Sequence, residues 1–255
     1  MIELRQVEST VVVTLAAGRA NALDYPMLEA LSQAIDSAIA NNPRALIVTG
    51  TDTTFCGGLA LPSLIDLDRD SMRAFMNMFS GTMRRLLEAP VPTVAAINGG
   101  AIAGGCVIAM MCDQRVMVGD GPKGPPRIGL NEAQLGIGLP AIVLEVARVK
   151  LTPGAFTQVA LGGALFDAPA ARALGLVDEV VAPSVLEQRT MERVRSMTSA
   201  GAAAYAQIKR AWTQPLLDVL ERTNRAVLES WLDTWFSDEG QERLRATVAR
   251  LTKKA

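Results

Sequence analysis

Residues 94–112, VAAINGGAIAGGCVIAMMC, carry no charge over about the length that spans a membrane. Four glycines and Asn98 interrupt the run near its middle. Glycine gives up more backbone freedom on ordering than any other residue and weakens a helix interior. The run therefore reads as a buried strand, a glycine loop and a buried helix, not as a membrane span. An uncharged strand feeding an uncharged helix constrains the chain to an α/β arrangement.

The flanking segments agree. IELRQV and TVVVTL are β-rich runs separated by Glu8 and Ser9, which predicts an antiparallel hairpin. Asp24 and Pro26 then open a helix with Met27, Leu28, Leu31, Ile35 and Ile39 at helical spacing. RALIVTG reads as a strand buried on both faces. A helix follows, with Met72, Phe75, Met76, Phe79 and Met83 on one stripe. Methionine fills irregular gaps in cores, and this stripe reads as packing. VPTVAAI and QRVMV are further strands, so strands and helices alternate with mostly parallel pairing. GDGPKGPP is a loop by composition. After GLVDEVVAP the strand signals stop. The division expected is an α/β core over 1–184 and a helical region over 185–255, broken near Gly201, Pro215 and Asp238. No sequence repeat of fixed period is visible.

Composition narrows the chemistry. The 255-residue chain is long enough for one large core, and 49% of it is apolar. Its net charge of −1 gives no reason to expect nucleic acid or a membrane surface as partner. Cys56, Cys106 and Cys112 match neither a disulfide framework nor a zinc or CxxC spacing. A reducing, cytoplasmic setting follows, and MIELRQVEST has no signal-peptide regions. There is no histidine. Ser-His-Asp and Cys-His catalysis are thereby excluded, as are histidine-based metal sites.

Carboxylate, lysine, tyrosine and metal–carboxylate chemistry survive. In GLNEAQLGIG, residues 129–138, Glu132 stands among apolar residues and glycines. Burial there raises a carboxyl pKa towards neutral and makes it a competent base. A carboxylate at a helix start, or on a solvated loop, fits the same residues. FCGGLAL (55–61) and GGAIAGGC (99–106) each follow a buried strand, and the second enters a helix whose first N–H groups lack partners. On the residues alone two uses stay open: an oxyanion hole formed by N–H groups from two loops, or tight turns and close packing. The spacing and missing lysine do not fit a phosphate loop.

FCGGLAL, INGGAIAGGCVIAMMCDQRVM and RIGLNEAQLGI, in that order, resemble the crotonase superfamily of acyl-CoA enzymes. RANAL (19–23) and ALGLVDEVV (173–181) agree. The resemblance covers essentially the whole chain. It implies a ββα spiral core, a C-terminal helical trimerisation region, and an acyl-CoA thioester as substrate, with coenzyme A part of that substrate and no metal or separate cofactor. By resemblance the N–H groups of Leu59 and Gly104 hold the thioester oxygen. Gly57, Gly58, Ala60 and Leu61 line the CoA and acyl channel, and Asn131 lies beside the acyl chain. Arg19, Lys253 and Lys254 are candidate phosphate partners, or solvated charges.

Departures from the pattern select the reaction. Hydratases of this superfamily carry a first glutamate where this chain has Val107; their second corresponds to Glu132. Water addition uses both carboxylates, whereas moving a double bond from C3 to C2 needs one base to remove a proton at C2 and return it at C4. The mitochondrial-type Δ3,Δ2-enoyl-CoA isomerases are similar in both positions. The expectation is an isomerase with Glu132 as acid and base. A hydratase or other enolate chemistry on the same scaffold, and a non-catalytic acyl-CoA-binding protein, are the alternatives. Ala60 stands where the superfamily usually has aspartate, Gly57 where alanine is common, and the 119–129 link is long. In the tail, Trp212, Leu216, Leu220, Trp231, Trp235 and Phe236 carry more apolar surface than a free appendage buries. A homotrimer, or a pair of trimers, is expected.

Overall fold

The computed structural model describes residues 2–51, 53–122 and 124–253. It opens with the expected hairpin: β1 (Ile2–Val7) and β2 (Thr10–Leu15) pair antiparallel, with Ile2 opposite Leu15. Asp24 caps α1 (Tyr25–Ala40) by accepting the Met27 N–H, and Pro26 sits in the first turn where its missing N–H costs nothing. Then follow β3 (Ala45–Gly50), β4 (Thr54–Cys56), the short α2 (Leu61–Leu64) and α3 (Arg69–Glu88), capped by Asp68. The charge-free run forms β5 (Thr93–Ile97), β6 (Gly100–Ile102) and α4 (Gly104–Met111). No described helix is long and apolar enough to cross a membrane.

β7 (Gln114–Val118) and β8 (Ile128–Gly129) precede α5 (Ala141–Lys150). α6 (Pro153–Phe156), α7 (Ala168–Ala173) and β9 (Glu179–Val181) complete the α/β part. α8 (Leu186–Thr198), α9 (Ala202–Trp235) and α10 (Asp238–Thr252) follow.

Two sheets result. The larger has the order β1-β2-β3-β5-β7-β9, parallel throughout except β1 with β2; the smaller is β4-β6-β8, parallel. Successive turns of chain place one strand in each sheet and then a helix: β3 and β4 before α3, β5 and β6 before α4, β7 and β8 before α5. This is the ββα spiral. The turns differ in length, which is why no fixed period shows in the sequence.

Alternation along the strands divides the core. Val11, Val13, Leu15, Leu46 and Val48 face the helices α1, α3, α4, α5 and α9. Val12, Ala45, Ile47, Val94, Ala96 and Val116 face the other way, where Met191 and Val194 of α8 cover them. A strand shifted by one residue would exchange these two sets, so the register is strongly fixed.

The tail differs from the sequence reading in two respects. Pro215 does not divide the helices; α9 runs through it. Interior proline costs roughly 3 kcal/mol. Burial of Leu216 and Leu217 just beyond it contributes about 1.5–3 kcal/mol each and offsets that loss. The tail's apolar residues also have a partner within the chain: Leu216, Leu220, Trp231 and Trp235 join the main core, while Trp212 is 45% exposed. Their hydrophobicity alone therefore does not demand a second subunit.

Candidate active site

The segment Arg19–Asn21 forms a short 3-10 turn that holds the first glycine loop. Buried Asn21 donates to the carbonyls of Thr54 and Phe55 and accepts the Ala17 N–H. Beyond it, Leu23 pairs with Leu59 as an isolated parallel bridge: Leu23 N–H donates to Gly58 O, and Ala60 N–H donates to Leu23 O. In such a bridge the paired residue's own N–H points to the opposite side. No acceptor for the Leu59 N–H occurs among the described residues.

The second loop delivers a matching donor. Gly104 is the first residue of α4, where an N–H has no intrahelical acceptor, and none occurs among the described residues. Two glycines bring the loops together. Gly58 has φ +91°, and a Cβ on it would lie 2.9 Å from Ile102 O and 3.3 Å from Gly104 N. A Cβ on Gly105 would lie 2.1 Å from Cys56 O, so no other residue lets α4 approach β4 this closely. Two unpaired N–H groups on adjoining backbones are what an oxyanion hole requires.

Glu132 closes the site. It follows β8 and begins the turn Ala133–Leu135; its carbonyl accepts the N–H groups of Leu135 and Ile137. Its side chain is turned inward, 8% exposed, and Oε2 is fully buried with no hydrogen-bond partner. Desolvation pushes its pKa up from 4.5 to about 7, its own backbone N–H acting the other way. The surface-carboxylate alternative does not describe this residue.

Leu59, Glu132 and Ile137 are shared by two adjoining spaces. An outer cleft of about 290 Å³ is lined also by Gly57, Leu61, Ile102, Ala103, Asn131, Leu135, and by Thr247 and Leu251 of α10. An inner chamber of about 20 Å³ is walled by Met76, Phe79, Gly104, Val107, Pro140, Val143 and Trp231. The expected residues Gly57, Leu59, Leu61, Gly104, Val107, Asn131 and Glu132 thus surround one connected space. Gly58 lies behind the loop against Gly104, and Ala60 caps α2 with its N–H bound to Leu23 O; neither lines the cleft or chamber. The Arg19 side chain and Lys254 lie outside what the structure describes.

Met76, Phe79, Pro140, Val143 and Trp231 were not legible as site residues. Nothing local marks them: Met76 and Phe79 belong to a packing stripe, and Trp231 sits far along the chain on α9. At its open end the cleft meets a groove that shares Leu135 and Thr247 and carries Arg243, Arg250 and Lys253.

The chain is similar to known proteins over nearly its whole length. The family model described as enoyl-CoA hydratase/isomerase matches residues 5–248. A Bacillus subtilis protein described as an enoyl-CoA hydratase/isomerase is 32% identical over 194 residues, which cover 75% of this chain and 73% of that protein. The α subunit of a fatty acid oxidation complex from a Psychrobacter species is 34% identical over 190 residues, 72% of this chain but 25% of the longer subunit. The structure of human mitochondrial Δ3,Δ2-enoyl-CoA isomerase superposes with a TM-score of 0.92 over 99% of this chain and 98% of that one. At 22% identity that is a likeness of fold.

Proposed function

The chain belongs to the enoyl-CoA hydratase/isomerase family, and within it we propose an isomerase that moves a double bond from C3 to C2 of an acyl-CoA thioester. The observation that carries this reading is the lone carboxylate: Glu132 is the one acidic residue among those lining the cleft and the chamber, and Val107 walls the same chamber. Leu59 N–H and Gly104 N–H hold the thioester oxygen, and the negative charge of the enolate develops there. Glu132, ionised, takes a proton from C2; as the acid it returns that proton to C4. Each donor of such a pair is worth about 10²–10³ in rate. A pKa near 7 suits both halves of the transfer, since the group must be a base and then an acid at one pH.

The basic groove supports coenzyme A as the carrier. Arg243, Arg250 and Lys253 stand where phosphates of a thioester lying along the cleft would emerge. Assembly of several copies would draw on the exposed Val149, Ile208 and Trp212 of α5 and α9, since the other tail aromatics are already covered.

The test supplies purified protein with 3-enoyl-CoA and 2-enoyl-CoA separately. Conversion of the first without hydration of the second is the expected result. Rapid hydration of 2-enoyl-CoA with Val107 in place overturns it. Tight acyl-CoA binding without turnover of either favours a binding protein.

A further inference from the structure

The inner chamber holds a donor and an acceptor that nothing described satisfies. Trp231 is 3% exposed, and its indole Nε1 is fully buried without a partner. Glu132 Oε2 is in the same condition, and both residues wall the same chamber. The pyrrole edge of the indole runs beside Gly138, between the lining residues Ile137 and Pro140: Cδ1, bonded to Nε1, lies 3.8 Å from where a Cβ on Gly138 would sit. The remaining walls offer the apolar side chains of Leu59, Met76, Phe79, Val107, Ile137, Pro140 and Val143, and at Leu59 and Gly104 the two unpaired backbone N–H groups, which are donors and cannot meet the indole N–H.

Volume identifies what joins donor to acceptor. A buried water needs roughly 10–15 Å³ of such space and two or more polar partners. The chamber has about 20 Å³, room for a single water. Leaving a buried N–H and a buried carboxylate oxygen both unmet would cost roughly 1–3 kcal/mol each or more.

We propose that Trp231 is a positioning residue for Glu132, acting through one ordered water that accepts from the indole N–H and donates to Glu132 Oε2. This rests on the role assigned to Glu132 above. The water holds one carboxylate oxygen at the chamber and leaves the other for the substrate in the cleft. A bond donated to the carboxylate favours its charged form and opposes the effect of burial. Few other charges face this group. α4 contributes the buried Cys106 thiol, which interacts with it electrostatically. α10 sets the Arg243–Glu239 ion pair against residues 134–136, with Arg243 donating to Gln134 O. The chamber walls from α3, α5 and α9 add no ionisable side chain.

The experiment titrates the Glu132 carboxyl in the free protein, by isotope-edited infrared or carbon NMR with E132Q as the blank, in the parent, W231F and W235F. Trp235 stacks on Trp231 at 5.2 Å, is equally buried with its own unpaired Nε1, and does not wall the chamber. It controls for loss of an indole from this packing. The expected result is a midpoint raised by about one pH unit in W231F, since a hydrogen bond to a charged group is worth about that much, and unchanged in W235F. An unchanged midpoint in W231F, or an equal rise in both variants, overturns the proposal. The titration involves no substrate, so it fails or succeeds separately from the isomerase reading.

Discussion

Two carboxylates of this chain, Glu132 buried and Asp113 largely so, have opposite surroundings. Asp113, at the start of β7, accepts from Thr93 N–H (2.8 Å), Thr93 Oγ1 (3.0 Å), Tyr205 OH (2.9 Å) and Lys209 Nζ (2.8 Å). Lys209, 6% exposed, donates also to the Val91 carbonyl. Glu132 lies deeper, yet its Oε2 meets no donor among the described residues. A carboxylate surrounded by donors ties α9 to the sheet through Tyr205 and Lys209. One left without them is held near the balance between its two protonation states. Burial is common to both; the partners divide structure from chemistry.

The largest expected effect is on the structural side. Lys209→Met leaves Asp113 buried with its cation gone, and breaking such a pair costs about 3–5 kcal/mol. Three donors to Asp113 remain, which places the loss at the lower end. Denaturant titration should record that loss, while turnover per folded molecule stays at the parent value. A loss of turnover without a loss of stability would erase the contrast.

Glu132→Gln should move stability in the other direction. Because the folded pKa is raised from 4.5 to about 7, the folded chain keeps a proton between those values that the unfolded chain has released. Stability therefore falls as pH rises through that window, by about 3 kcal/mol in total. At pH 8 the Gln variant should melt higher than the parent; at pH 4.5 and below the two should converge. Equal melting at pH 8 would contradict the desolvation of Glu132.

A smaller effect is in the rate profile. The base must be ionised to act, so kcat/KM should rise roughly tenfold per pH unit on the acid side and level off near pH 7. A limb centred near 4.5 would contradict the burial described here.

What the sequence shows follows the same division. Strand and helix order, the Asp24 cap, both glycine loops and Glu132 are legible because each is a local pattern: alternation, a capping residue, a run without charge. Asp113 and Lys209 are 96 residues apart, and no local pattern joins them. The β4-β6-β8 sheet escapes notice because its strands are two or three residues long. Pro215 reads as a break because a proline is a local signal, whereas the burial of Leu216 and Leu217 that overrides it is tertiary. Trp231 likewise reads as part of a tail, and its place beside Glu132 depends on the packing of α9 against α3 and α5.

The central claim is that one desolvated carboxylate, facing two free main-chain N–H groups, transfers the proton. Turnover of 3-enoyl-CoA by Glu132→Gln, measured alongside acyl-CoA affinity, tests it most directly. A fall of at least about 10²-fold, the lower range for loss of a general acid–base group, with affinity retained, is the outcome expected. Turnover at the parent rate would contradict the account.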